Sequence, residues 1–229
     1  MGAIAFLVVG LALFFGSKNA ISQEPTKKAD ENLGLILRLG KEVRPVTFMD
    51  TKGKKWELQD QKDAKAIVVT FLDFKCPISN RYVSVLNALA EKYRESGVLL
   101  TAVICDVESA GELEQHVREF KVNFKVFYDP QHLVANHFLA DTTPQCFVLD
   151  RDKMLRYVGA IDDQYQDRTT RLKSVKTQYL ANAIDSVLAN KPLESKFTHA
   201  IGCPITKSTK EEVTSSGAVS YTHLTLPTK

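Results

Sequence analysis

Four cysteines are the residues of this 229-residue sequence best suited to covalent chemistry: Cys76, Cys105, Cys146 and Cys203. Their spacing is wide and fits no zinc-binding pattern, so we expect no metal site. So few cysteines indicate one or two reacting thiols and not a disulfide scaffold. Cys76 is the strongest candidate, because an apolar run precedes it and Pro77 follows it, as at the start of a helix.

The surroundings of Cys76 predict an exposed and activated thiol. Only the thiolate is nucleophilic, and the pKa of a free cysteine, about 8.5, must be lowered to populate it at neutral pH. The first turn of a helix offers unpaired N–H groups and a partial positive charge. Lys75 and Arg81 add two cations nearby, which favour the thiolate. The alternative is an inert, buried cysteine.

The position three residues after Cys76 holds Ser79 where a dithiol site of the Cys-x-x-Cys type has its second cysteine. Cys76 therefore cannot form that local disulfide. The Ser79 hydroxyl can still donate a hydrogen bond to the thiolate, which favours the charged form. We predict that Cys76 and Ser79 are catalytic residues.

A distal thiol is the remaining candidate partner for Cys76. Cys203 lies in Gly202-Cys-Pro-Ile205, a loop-like stretch after the last helical pattern, and we predict that it is the resolving catalytic cysteine. The bond requires Cα atoms within about 7 Å. The alternatives are a free surface thiol or a pair with a segment outside this sequence. Cys105 and Cys146 lie in apolar strand patterns and are interpreted as core residues.

The elements that must position these thiols alternate between strand and helix patterns. A hairpin is predicted around Asp50–Gly53, followed by β-α-β-α-β-α and a closing β-β-α unit. The predicted elements are strands at 43–49, 55–59, 64–72, 98–105, 124–128, 145–150 and 155–160, and helices at 77–96, 109–120, 132–139 and 171–190. This order predicts an α/β fold with a mixed central sheet flanked by helices and an N-terminal β-hairpin.

The segment Phe71–Asn80, in which a buried strand runs into a cysteine that opens a helix, resembles the thioredoxin superfamily. Thr143-Pro144, just before a strand, resembles the cis-proline that faces the reactive cysteine in that thioredoxin-like fold. The resemblance implies that Pro77, Thr143 and Pro144 contact the substrate.

The resemblance covers about residues 40–190. It is closest to the redoxin group, which contains the alkyl hydroperoxide reductase and thiol-specific antioxidant (AhpC/TSA) family and the thiol–disulfide proteins of cytochrome maturation. More narrowly, Cys76–Tyr82, Gly159–Asp163 and Gly202–Ile205 resemble exported redoxin-domain proteins of planctomycete-like bacteria with a monothiol Cys-Pro-Ile-Ser site. In such proteins a haem-binding or monooxygenase-like module often follows, so a downstream haem-binding module is an expected partner.

The sequence also departs from these patterns. Val69 and Asp73 stand where the peroxiredoxin motif has its proline and its hydroxyl residue. Thr70 stands where thioredoxin has a buried acid. Three functions therefore stay open: a thiol–disulfide oxidoreductase, a peroxiredoxin-like peroxidase, and a non-catalytic redoxin module that docks to a haem domain. The expected substrates are protein or small-molecule thiols and disulfides, and no cofactor is expected.

The N-terminus carries an apolar run, Ala3–Phe15, of the length found in signal peptides and short for a bilayer span. Small residues in Ala20–Ser22 predict cleavage before Gln23, so residues 1–22 are interpreted as a signal peptide. An uncleaved anchor is the alternative. Both place the folded part outside the cytoplasm, in the periplasm or held at the membrane.

The remaining chain divides into three predicted parts: a linker at 23–42, a redoxin domain at 43–192 and a tail at 193–229. The end of the tail, Ser220–Lys229, resembles translated sequencing-adapter read-through, with a genuine disordered tail as the alternative, and we expect the natural protein to be longer. The formal net charge is only +3, from 30 basic and 27 acidic residues, so nothing indicates a nucleic-acid partner. Contact with a membrane is expected only through the N-terminal segment.

Overall fold

A computed structural model describes residues 32–206 of the chain. The strands are β1 (Thr47–Met49), β2 (Lys55–Glu57), β3 (Ala66–Leu72), β4 (Val98–Ile104), β5 (Lys125–Tyr128), β6 (Thr142–Thr143), β7 (Gln145–Asp150), β8 (Leu155–Gly159) and β9 (Cys203–Pro204). The helices are α1 (Pro77–Arg94), α2 (Ala110–Glu119), α3 (Leu133–Phe138) and α4 (Tyr179–Leu188). A short helical turn at 32–36 precedes them.

The central sheet has five strands in the order β5-β4-β3-β7-β8. β3 pairs in parallel with β4 and antiparallel with β7, which makes the sheet mixed, as predicted. All seven residues of β3 are buried. A continuous apolar run of this kind suits a strand that is covered on both faces. The thioredoxin-like α/β fold expected from the sequence is therefore confirmed.

Two hydrophobic clusters cover the two faces of the sheet. One cluster joins β3 and β7 to the inner faces of α1 and α4, and it includes Val68, Leu86, Val148, Leu180 and Ile184. The other is rich in aromatic rings from the hairpin, the sheet and α3, and it includes Phe48, Phe71, Phe127, Phe138 and Phe147. Because both faces are covered, the loops at the carboxyl end of β3 are held against a rigid core.

The last helix is shorter than the predicted 171–190. Residues 163–177 instead form a loop, in which Asp163 accepts the Lys176 N–H at 2.8 Å and the Leu172 N–H donates to the Gln164 carbonyl at 2.7 Å. Aspartate side chains that accept nearby N–H groups offer the backbone an alternative to helix. The helix prediction was wrong for this stretch because these contacts compete with helical hydrogen bonds.

The packed chain extends past both ends of the predicted domain at 43–192. On the N-terminal side, Leu35 is fully buried and the Gly40 N–H donates to the Leu155 carbonyl at 2.7 Å. On the C-terminal side, the Ile205 N–H donates to the Asp141 carbonyl at 2.9 Å. Parts of the predicted linker and tail are therefore ordered against the sheet. The predicted signal peptide and Ser220–Lys229 lie outside the described residues.

Between residues 32 and 206, the chain contains no helix that is both long and apolar enough to cross a membrane.

Candidate active site

Cys76 occupies the N-cap of α1, directly after the turn that leaves β3, and Pro77 is the first residue of the helix. This local geometry follows from the sequence, because proline lacks the N–H that a first-turn residue would leave unpaired. The side chain is only 1% exposed. The expectation of an exposed thiol was wrong, because a distant part of the chain lies close to Cys76.

Thr143 and Pro144 face Cys76 from the start of β7. The peptide bond between them is cis, as the sequence predicted. Cys76 Sγ lies 3.5 Å from the Thr143 carbonyl oxygen, which accepts a hydrogen bond from the protonated thiol. The structure therefore brings together four predicted site residues, since Pro77 follows Cys76 directly. Their roles in substrate binding stay a prediction.

Residues 196–205, the C-terminal strap, cross this site. The Thr198 N–H donates to the Val158 carbonyl at 3.0 Å at one end of the strap. At the other end Ile205 is buried, and its N–H donates to the Asp141 carbonyl. Between these anchors β9 pairs antiparallel with β6, with Cys203 opposite Thr143.

The strap brings Cys203 opposite Thr143, whose carbonyl oxygen lies 3.5 Å from Cys76 Sγ, so each thiol is close enough to shift the pKa of the other. The Thr143 hydroxyl donates to the Cys203 carbonyl at 3.3 Å and fixes the backbone of the strap at this point. Both cysteines are free thiols in this structure. The structure therefore brings the predicted pair together at Thr143, and its catalytic role stays a prediction.

Two glycines, Gly202 in the strap and Gly159 in β8, allow the strap to lie close to Thr143 and to β8. A Cβ atom on Gly202 would stand 1.9 Å from the Thr143 carbonyl oxygen. Gly159 has a φ of +150°, and a Cβ atom there would stand 2.4 Å from the Thr198 carbonyl oxygen. Any larger residue would force the backbones apart. Neither glycine was predicted from the sequence to have this role.

The pKa values of the two thiols are shifted in opposite directions. Burial alone would raise the pKa of Cys76, but hydrogen bonds from Cys203, from the Ser79 and Ile78 N–H groups and from the Ser79 hydroxyl outweigh it and lower the pKa. Burial and the bond to Cys76 raise the pKa of Cys203 to about 11, against the opposing effect of Arg168. Of the two thiols, Cys76 is therefore the one that ionises more readily.

The cations that act on the site differ from those expected. Lys75 Nζ lies 3.4 Å from Glu112 Oε1, so its positive charge is paired with a carboxylate at the surface. Arg81 donates to the Tyr165 hydroxyl at 3.4 Å. Arg168 Nη2 lies 3.7 Å from Cys203 Sγ. Arg168 belongs to the 163–177 loop, and no sequence motif around it indicates a position beside Cys203.

Two acidic residues, Asp73 and Asp162, are buried around the start of α1. Asp73 is buried and accepts the Lys75 N–H at 2.7 Å, and burial raises its pKa. Asp162 is 7% exposed and accepts a hydrogen bond from the Tyr82 hydroxyl. This bond ties α1 to the loop that carries Arg168.

The other two cysteines are core residues, as interpreted from the sequence. Cys105 is buried beside Asp129, and burial raises its pKa. Cys146 lies against the Thr70 hydroxyl at 3.4 Å, and burial raises its pKa to about 12. Among residues 32–206 no group of three histidine, cysteine or acidic side chains is arranged to hold a metal ion.

A sheet of this order, a cysteine that opens the first long helix and a cis-proline facing it define a thioredoxin-like protein of the redoxin class. The sequence profile of the AhpC/TSA family matches residues 39–158, which is more than half of the chain. The chain belongs to the AhpC/TSA family.

Curated relatives include thiol-disulfide oxidoreductase ResA of Bacillus cereus (strain ZK / E33L), which is 28% identical over 116 residues. The match covers 51% of this chain and 66% of that protein, slightly less than two thirds of its length. The crystal structure of a hypothetical protein from Sinorhizobium meliloti 1021 is similar with a TM-score of 0.67 and 27% identity, covering 75% of this chain and 95% of that one. An uncharacterized conserved protein from Geobacillus kaustophilus has a TM-score of 0.64 and 27% identity, with coverage of 73% and 90%.

The electrostatics of the pair give a first testable prediction. Cys203→Ala removes a hydrogen-bond donor to the Cys76 thiolate, so the pKa of Cys76 should rise and its titration midpoint should move to higher pH. The measurement is the ultraviolet absorbance of the thiolate against pH, with Cys76→Ser as the baseline. Cys203→Ser keeps a donor and should move the midpoint less. Equal midpoints in the parent and in Cys203→Ala would contradict the assignment.

Proposed function

We propose that this chain is a thiol–disulfide oxidoreductase that uses Cys76 and Cys203 as its redox pair. The observation that carries the proposal is that both cysteines meet at Thr143, which pairs with Cys203 in the strap and whose carbonyl oxygen lies 3.5 Å from Cys76 Sγ. The relationship to a protein named thiol-disulfide oxidoreductase supports the reaction class. Disulfide exchange begins with a thiolate, and the opposite pKa shifts make Cys76 the more readily ionised thiol of the pair.

The reaction is a two-electron exchange between the pair and an external substrate. In one direction an external disulfide takes two electrons and two protons from the two thiols, and it leaves as two thiols. The pair then carries a disulfide bond between Cys76 and Cys203. In the other direction two external thiols reduce that bond and leave joined as a disulfide.

The residues around the pair have distinct tasks in this scheme. The Ser79 and Ile78 N–H groups hold negative charge on Cys76 and so favour its release as a thiolate. The strap fixes Cys203 against Thr143, so the pair needs no large movement to bond. The expected substrates are protein or small-molecule thiols and disulfides.

The test is the formation of this particular disulfide. The purified full chain is oxidised with oxidised glutathione, free thiols are alkylated, and peptides are mapped by mass spectrometry without reduction. We expect a peptide pair linked through Cys76 and Cys203, while Cys105 and Cys146 are alkylated only after unfolding. The linked form should then oxidise a dithiol peptide in stoichiometric amount. An absent link would contradict the proposal and favour a non-catalytic docking module.

A peroxidase is the second candidate, because the family includes alkyl hydroperoxide reductases. The position three residues before Cys76 holds Asp73, an acceptor when ionised, where the peroxidase motif has a hydroxyl donor. Peroxide activation therefore lacks one expected donor. Hydrogen peroxide added to the reduced protein separates the candidates: rapid oxidation of Cys76 to a sulfenic acid would favour the peroxidase.

We further propose that the protein works outside the cytoplasm. The support is the apolar run Ala3–Phe15 in the sequence, which has the length of a signal-peptide core. The test is a fusion of residues 1–42 to a phosphatase that folds only in an oxidising compartment. Phosphatase activity is the expected result, and its absence alongside an equally expressed positive control would contradict this location.

A further inference from the structure

We propose that Cys203, and not Cys76, is the sulfur that exchanges with external thiols. The inference rests on the proposed function, because it concerns the disulfide formed between these two cysteines. It reverses the expectation from the sequence, in which the cysteine at the helix start meets the substrate and the distal cysteine resolves. Three features of the strap and its surroundings support the reversal.

The first feature is access. Cys76 is 1% exposed, whereas Cys203 is partly exposed. The strap is anchored at Thr198 and Ile205, so it covers Cys76 without a free end. An external thiolate must approach the sulfur that it attacks, and the rate of exchange depends on that access. The accessible sulfur of the disulfide is therefore that of Cys203.

The second feature is the leaving group. Attack on Cys203 expels Cys76, and attack on Cys76 expels Cys203. Exchange is faster when the departing thiol has the lower pKa. Hydrogen bonds lower the pKa of Cys76, while the pKa of Cys203 is raised to about 11. The chemistry therefore favours the same sulfur that access favours.

The third feature is charge. The Arg168 side chain is exposed and its Nη2 lies 3.7 Å from Cys203 Sγ. A guanidinium in this position attracts an anionic attacker to the outer sulfur. Lys75 cannot serve Cys76 in the same way, because it is paired with Glu112.

Reduction of the Cys76–Cys203 disulfide takes place in two exchange steps. An external thiolate forms a bond to Cys203 Sγ, the bond between the two protein sulfurs breaks, and Cys76 leaves as a thiolate. A second external thiolate then attacks the external sulfur of the mixed disulfide and forms an external disulfide. The electron pair returns to Cys203, which takes a proton from solvent. The reductant is a small monothiol such as glutathione.

The experiment locates the mixed disulfide. The full chain with its Cys76–Cys203 link is treated with reduced glutathione, quenched with acid and N-ethylmaleimide, and mapped by mass spectrometry. We expect glutathione on Cys203 and maleimide on Cys76, in at least about tenfold excess over the reverse pattern. Glutathione mainly on Cys76 would overturn the assignment. A failure to form the starting link would contradict the proposed function, and the assignment with it.

A strap variant tests the cause of the preference. Gly202→Ala places a Cβ atom where only 1.9 Å separates it from the Thr143 oxygen, so it should lift the strap and expose Cys76. The preference for Cys203 should then fall several-fold. The control is Gly111→Ala in α2, where the nearest atom to the added Cβ, Ser109 Oγ, lies at 3.9 Å. An unchanged preference in a folded Gly202→Ala protein would contradict the role of the strap.

Discussion

Replacing Cys76 with serine is expected to lower the rate of thiol–disulfide exchange by roughly 10³-fold or more. A serine hydroxyl stays protonated at neutral pH, and it cannot form a disulfide with Cys203. The N–H groups of Ser79 and Ile78 would then face a neutral group that needs no charge stabilisation. The measurement is the turnover of a fluorescent glutathione disulfide with excess reductant, at equal concentrations of folded protein.

The matched control for this prediction is Cys105→Ser. Cys105 is buried, and its sulfur lies 3.7 Å from Asp129 Oδ2, so a serine hydroxyl keeps an acceptor. Its rate should stay within about twofold of the parent, since Cys105 takes no part in exchange. Loss of activity in Cys105→Ser with activity kept in Cys76→Ser would refute the assignment of the site.

The features of the site that are local in sequence could be predicted. The apolar run of β3 ends at Leu72, four residues before Cys76, and Pro77 marks the helix start, so strand, cysteine and helix follow from neighbouring residues. The cis bond before Pro144 was expected from a family resemblance and is present. Such features depend on short-range sterics and on the period of apolar residues, both of which a single sequence displays.

The features that depend on distant contacts could not be predicted. Nothing in the composition of residues 196–205 indicates that they pack against Thr143. The contact depends on the close approach of the Gly202 backbone to the Thr143 carbonyl oxygen, which leaves no room for a Cβ atom. The burial of Cys76 depends on that contact and was therefore missed. The engagement of Lys75 by Glu112 was missed for the same reason, since α2 brings the carboxylate to the lysine only in the folded chain.

Replacing Phe147 with alanine is expected to destabilise the fold by about 3–5 kcal/mol, the range for a fully buried aromatic side chain. Phe147 is 0% exposed, and its ring packs edge-on against Phe71 at 5.5 Å and Phe138 at 5.1 Å. The substitution removes buried apolar surface and leaves a cavity between β3, β7 and α3. The measurement is urea unfolding, with the change read from the midpoint at an unchanged slope.

The control is Leu133→Ala, at a leucine that is 65% exposed, and its effect should stay within about 0.5 kcal/mol. Phe147 pairs with Val69 in the register between β7 and β3, three residues after Pro144. Weakening this pairing should therefore loosen Thr143 against Cys76 as well as lower stability. A folded Phe147→Ala protein should alkylate faster at Cys76, whereas Leu133→Ala should not. A midpoint equal to that of the parent would contradict the stability prediction, and an unchanged rate of Cys76 alkylation would mean that this cluster does not hold the proline side of the site in place.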